Sequence, residues 1–194
     1  MNKTNAKQQL LEAGAELIHL NGYNNTGISD ILKKAGIPKG SFYFYFKNKE
    51  DYGLQLIDFY SHFFRGMAEE HLTGETTPKV EQIRNFFGAF RHVFEEKSYT
   101  CGCPIGNLSQ EMGDVNDNFR QNLLRVYEET MVRPIKEALE AAMTRGELSR
   151  DHDPKELADF ILNAWQGALI KMKLTRDLTP YNTFEQVMYR TLQR

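Results

Sequence analysis

Cysteine is scarce in this chain: two residues in 194, Cys101 and Cys103, separated by a single glycine. So few rules out a secreted disulfide framework, and in a reducing compartment both are expected as thiols. No apolar run approaches the about 18 residues that span a membrane, and Met1 to Gln9 is polar rather than a secretory leader. The expectation is a cytoplasmic protein with no membrane partner. Phosphate loops, serine elbows and recognisable pairs of catalytic carboxylates are missing. His19, His62, His71, His92 and His152 are scattered, none at ligand spacing from the cysteines, so neither a metal nor a cofactor is expected. Enzymatic chemistry narrows to the cysteine pair. Strand-like alternation, internal repeats and low-complexity stretches are also absent, which leaves an all-α chain.

What is present is length enough for one large or two small domains with a substantial core, and an uneven charge. From Met1 to Lys49 seven lysines face Glu12, Glu16 and Asp30, giving +4; the chain's net −2 leaves −6 for the rest. A basic head on an acidic body points the head alone toward a polyanion.

The head centres on Asn25 to Asp51, two short helices joined by a tight turn. Thr26 is placed to cap the first, Asp30 lies in its first turn, and Ile28, Ile31, Leu32 and Ala35 recur at helical spacing. Gly36 stops it, and Pro38 fits the opening of a second helix over Lys39 to Phe46. Phe42 and Phe46, four apart, make its anchoring face. Lys39, Ser41, Tyr43 and Tyr45 offer donors to phosphates and base edges, Gly40 lets backbone approach a phosphate, and Lys47 and Lys49 extend the positive charge. This is the pattern of a helix-turn-helix.

The run GYNNTGISDILKKAGIPKGSFYFYFKNKED resembles the DNA-binding signature of the TetR family of transcriptional repressors. The resemblance implies a three-helix head followed by a larger helical body that binds an effector and dimerises, about nine helices in all, divided at residues 1–49 and 50–194. It implies that Thr26, Lys39, Gly40, Ser41, Tyr43 and Tyr45 meet double-stranded DNA, with Lys49 on a phosphate at the start of the fourth helix. Two departures are Pro38, where the family often has a capping Ser or Thr, and Phe44, often His, which removes an expected phosphate contact.

Thr4 to Asn21 reads as the first helix, ended by Gly22, and Glu50 to His71 as a long fourth helix linking head to body. Val80 to Glu96 carries phenylalanines at core spacing. A helical pattern from about Asn116 to Arg145 is interrupted by Pro134, where a kink is expected. Pro154 opens a helix with a broad apolar stripe, and Phe184 to Leu192 forms a shorter one. In the TetR family these last two helices build the homodimer, which assigns Phe160, Ala164, Ala168, Phe184 and Met188 to the interface. Ala164, Gly167 and Ala168 are small enough for helices to approach closely.

The stretch TCGCPIGNLSQEMG is the least ordinary outside the head. Pro104 at a first helical position puts Cys103 at the cap, where the helix field favours thiolate and reaction with electrophiles or oxidants, more than at Cys101. It is similar to segments of TetR-type repressors that sense such species. The plainer alternative is a buried small residue in a loop. Cys101, Cys103, Asn107, Tyr127 and Trp165 are the candidate effector or redox residues. The expected function is a dimeric repressor of a palindromic operator, released by a small molecule or by oxidation. The alternatives are a cysteine-dependent thiol oxidoreductase and a ligand carrier with a vestigial head.

Overall fold

A glycine in the left-handed region separates the two helices of the head, as the sequence requires. Gly36 adopts φ +67°, and the N–H groups of Gly36 and Ile37 close back onto Leu32 and Lys33. A side chain there would strain the turn, whereas glycine does not. The computed structural model describes residues 3–193, with side chains from residue 6 onward. Among these residues there are nine helical runs and no strand, in agreement with the all-α expectation.

Helix α1 spans Lys3–Asn21, α2 Ile28–Ala35, and α3 Phe42–Tyr45, the last preceded by a 3₁₀ turn at Lys39–Ser41. The sequence predicts the second helix of the motif as one piece from Lys39 to Phe46. Its first turn is instead tightened, with Ser41 N–H donating to Pro38 O at 3.0 Å, because Pro38 fixes an extended entry and offers no cap. Helix α4 runs Lys49–Leu72, α5 Lys79–Glu96, α6 Pro104–Met112 and α7 Asp117–Val126. A six-residue π segment, Tyr127–Val132, leads directly from α7 into α8, Arg133–Thr144. Helices α9, Pro154–Thr175, and α10, Thr179–Leu192, complete the chain.

Two compact units emerge from the packing. One comprises Met1–His62 with Pro104–Val126, the other Phe63–Cys103 with Tyr127–Arg194. In the first, Leu10, Ile31, Phe42, Phe46, Tyr52 and Leu56 are fully buried. Gly53 on α4 permits a close approach: a Cβ there would lie 2.4 Å from the Phe119 ring and 2.7 Å from Tyr23. Those two rings meet edge to face with centroids 4.9 Å apart.

The second unit is built on aromatic side chains of α5, as its phenylalanine spacing predicts. Phe87, Phe90 and Phe94 are buried with Trp165, Tyr181 and Phe184. Trp165 Nε1 donates to Tyr181 Oη at 3.4 Å, and Tyr181 Oη donates to Phe87 O at 2.6 Å, so both polar tips are satisfied inside the core. Lys79, also buried, closes the α4–α5 loop by donating to Leu72 O, Gly74 O and Gln82 Oε1 at 3.0–3.1 Å.

The irregularity expected at Pro134 lies upstream of it. Pro134 sits in the first turn of α8, and the π segment just before it widens the helix to take the ring. A missing N–H is tolerated in a first turn, and a π-type widening relieves the clash of the ring with the preceding carbonyl.

Candidate nucleic-acid interface and body groove

Alternation between anchor and exposed face defines the motif's second helix. Phe42 and Phe46 are 0% and 1% exposed, whereas Tyr43 and Phe44 are 66% and 68% exposed. The Phe42 ring packs on Phe46 and Tyr52, with centroids 5.1 and 5.5 Å away. That buried pair holds the helix down by one side and leaves Tyr43 on the other, with Lys39 and Gly40 exposed in the turn before it and Lys47 exposed after it. Ser41 and Tyr45 are half-buried.

Thr26 is not the cap of α2. Gly27 occupies that position, and Asp30 Oδ2 accepts its N–H at 3.1 Å. Thr26 is 2% exposed, with its hydroxyl donating to Gly22 O at 2.7 Å, so its side chain braces the α1–α2 turn from inside. A side-chain cap does form at the start of α4: Asn48 Oδ1 accepts from Asp51 N at 2.8 Å, and Asp51 Oδ2 reaches one residue past the cap to accept from Lys47 N at 2.8 Å. The Lys47 N–H holds the Asp51 carboxyl below its usual range, because a hydrogen bond to the charged form favours it.

Lys49 does stand at the start of α4, but its ammonium is drawn inward. It lies 4.6 Å from the Tyr23 ring centroid and donates to Asn24 O at 3.4 Å. Burial lowers its pKa, with Glu111 opposing the shift. Tyr23 itself donates its hydroxyl to Lys49 O at 2.9 Å, and burial, then Glu50 and Glu111, push its pKa up to about 12.

Glu111, near the end of α6, accepts the backbone N–H groups of Tyr23 and Asn24 at 2.7 Å each. Neither Tyr23 nor Glu111 is among the sequence candidates. No local pattern marks a contact between residues 88 positions apart. The Asn48 to Asp51 cap, by contrast, is a readable Asn-x-x-Asp signal.

In the second unit, Phe160, Ala164, Ala168, Phe184 and Met188 come together on one groove between α9 and α10, of about 280 Å³, which Gly167, Lys171 and Val187 also line. Phe184 and Met188 are its buried floor, while Phe160 is 57% exposed at its edge and Val187 42% exposed. Leu174, farther along α9, is 80% exposed.

Helix α6 begins at Pro104, directly after Cys103, as expected. Both cysteines are interior, Cys101 4% and Cys103 3% exposed. Burial pushes the Cys101 thiol up, with Lys97 and Lys173 among the groups pulling the other way. Just before the pair, Ser98 and Tyr99 hold positive φ of 50° and 59°, a conformation disfavoured for side chains with a Cβ. Tyr127, in the π segment, donates to Asn163 Oδ1 at 3.2 Å, and burial first, then Cys103, push its pKa up to about 12. Trp165 is core, its N–H already committed to Tyr181. Asn107 belongs to the other unit, half-buried on α6.

A basic helix-turn-helix followed by a helical body is the form of a DNA-binding transcriptional regulator. Residues 10–51 match the family model for bacterial regulatory proteins of the tetR family, and residues 80–188 match the tetracyclin repressor-like C-terminal domain. The chain belongs to the TetR family. It is 37% identical to the transcriptional regulator AcuR of Cereibacter sphaeroides over 95% of this chain and 84% of that protein. It is 34% identical to the transcriptional repressor DhaR of Mycobacterium sp. over 99% and 94%. The crystal structure of a TetR regulatory protein from Rhodobacter sphaeroides superposes with a TM-score of 0.90 at 36% identity, covering 96% of this chain and 98% of that one. The reduced form of Escherichia coli NemR shares the fold, with a TM-score of 0.87 at 24% identity over 95% of each chain. The protein is a DNA-binding transcriptional repressor of the TetR type, not an enzyme.

Proposed function

We propose that the chain acts as a homodimer on a palindromic operator in the cytoplasm, with residues 1–49 on the DNA and residues 50–194 joining the subunits and receiving an effector that releases the complex. The observation that carries this reading is the apolar groove of α9 and α10. Phe160, exposed at the groove beside small Ala164 and Gly167, and Leu174, exposed farther along α9, leave apolar surface in water, and a second copy would bury it. Lys39 and Tyr43 on the open face of the motif, with Lys49 at the base of α4, supply the DNA contacts. Ser41, Gly40 and Tyr45 lie beside them, and Thr26 supports them from within. Two such faces related by a two-fold axis fit half-sites about one helical turn, ~10 base pairs, apart.

Release requires only that a ligand of the body bind one arrangement of the heads better than the other, by a few kcal/mol of differential affinity. Within the second unit Tyr127, the Cys101–Cys103 loop and Trp165 are the groups assigned to that role, and Asn107 on α6 is the candidate within the first. A small molecule is the favoured effector, because both thiols lie inside the protein.

Light scattering of the purified protein, with footprinting of the DNA upstream of its own gene, tests the reading. The expected result is a dimer of the 22.5 kDa chain protecting an inverted repeat. A folded monomer, or no protected repeat at low salt, would refute it.

A further inference from the structure

The recognition segment carries one large side chain whose chemistry fits neither of its usual tasks. Phe44 is 68% exposed beside Tyr43 at 66%, and it has no donor for a phosphate. Its ring is not loose on the surface. It meets Tyr45 edge to face at 5.7 Å between centroids, and Tyr45 leans in turn on buried Phe46 at 6.4 Å. One turn earlier the surface is open: a Cβ built on Gly40 meets nothing within 4 Å. Three residues later Lys47 is exposed. The ring therefore stands exposed on the element that the helix-turn-helix presents to DNA, with open surface at Gly40 before it and an exposed Lys47 after it.

Placing a benzyl group against a phosphate would strip water from the anion with no hydrogen bond in return. Base edges in the major groove present donors and acceptors, and their one apolar group is the 5-methyl of thymine. We propose that Phe44 is a specificity-determining residue that packs on a thymine methyl in each half-site of the operator. The proposal rests on the operator-binding reading above. Phe44 thus contributes sequence information through an apolar contact that does not depend on counterion release, alongside the salt-dependent contacts of the lysines. A ring resting on deoxyribose would share the apolar chemistry but carry no sequence information, and the thymine methyl separates the two.

The experiment selects an operator from random duplex DNA with the full-length protein, then replaces each thymine in turn, in both half-sites, by deoxyuridine. Affinities are measured at one fixed salt concentration for wild type, Phe44→Ala and Phe44→Leu, with melting curves to verify that each variant is folded. At one thymine per half-site the wild type should lose roughly fourfold for each methyl removed. Phe44→Leu, still apolar, should keep part of that penalty. Phe44→Ala should bind the thymine operator more weakly and no longer distinguish it from the deoxyuridine form at that position. An equal penalty in wild type and Phe44→Ala overturns the proposal, as does a wild type indifferent to every thymine methyl. Selection of no sequence at all by folded protein would overturn the operator-binding reading itself, a separate outcome.

Discussion

The Glu111 carboxylate accepts the backbone N–H of Tyr23 at 2.7 Å and that of Asn24 at the same distance, tying the end of α6 to the turn between α1 and α2. Charge-assisted hydrogen bonds of this kind are worth roughly 1.5–3 kcal/mol. Glu111→Ala leaves both amides without their acceptor. The expected result is a lower melting temperature, faster hydrogen exchange at Tyr23 and Asn24 than in wild type, and weaker DNA binding. Glu111→Gln, which keeps one acceptor oxygen, should fall between. Unchanged exchange at these two amides in Glu111→Ala would show that the clamp does not hold the turn in solution.

Phe42 and Tyr43 are neighbours with opposite duties. Phe42 is fully buried, and Phe42→Ala should destabilise the head by roughly 3–5 kcal/mol. Tyr43→Phe removes one exposed hydroxyl and should leave the melting temperature nearly unchanged while lowering DNA affinity. Paired melting and gel-shift measurements check this division. Equal stability losses in the two variants would contradict it.

Lys39 is exposed, whereas Lys49 is held on the Tyr23 ring. The sequence assigns both to phosphates. Lys39→Ala should flatten the plot of log affinity against log salt by about 0.9 for each phosphate no longer neutralised, equally for specific and non-specific DNA. Lys49→Ala should also loosen the Tyr23 and Asn24 junction, so its melting temperature falls while that of Lys39→Ala does not. A Lys39→Ala variant with the wild-type salt slope would remove that residue from the phosphate-binding set.

Burial keeps the phenols of Tyr23 and Tyr127 protonated, each pushed up to about 12. The unfolded chain releases these protons near the ordinary tyrosine value of 10.0, so the stability they contribute is complete below that pH and is lost as pH rises through about 12, since the folded state then binds more protons than the unfolded one across that interval. Melting temperature followed upward from about pH 8 should stay level and then fall once the unfolded phenols ionise near ~10, less steeply in Tyr127→Phe. No difference between Tyr127→Phe and wild type in that window would sink the assignment for Tyr127.

Cys101 is held as a thiol by burial, and Cys103 sits directly before α6. Alkylation at neutral pH should be slower at both than at a free cysteine, and faster at Cys103 than at Cys101, measured on Cys101→Ser and Cys103→Ser by mass spectrometry. If modification of Cys103 leaves DNA binding unchanged, the pair serves the fold alone.

The sequence by itself determined the elements whose causes are local. The Gly36 turn, the Phe42 and Phe46 anchor, the helix starts at Pro104 and Pro154 and the aromatic spacing of α5 follow from residues within a turn or two of one another, and each is visible in the chain. Helical periodicity places Phe160, Ala164 and Ala168 on one stripe and Phe184 and Met188 on another, whereas their grouping across two helices was implied only by the resemblance to the TetR family. Tertiary structure decided what depends on distant partners. It turned the Thr26 hydroxyl inward to Gly22, set Lys49 on Tyr23, buried both cysteines, and shifted the irregularity expected at Pro134 into the π segment at Tyr127–Val132. It also made Glu111 the acceptor for amides 88 and 87 positions away. Burial and long-range hydrogen bonding are properties of the assembled core, and no local pattern of residues encodes which groups will meet there.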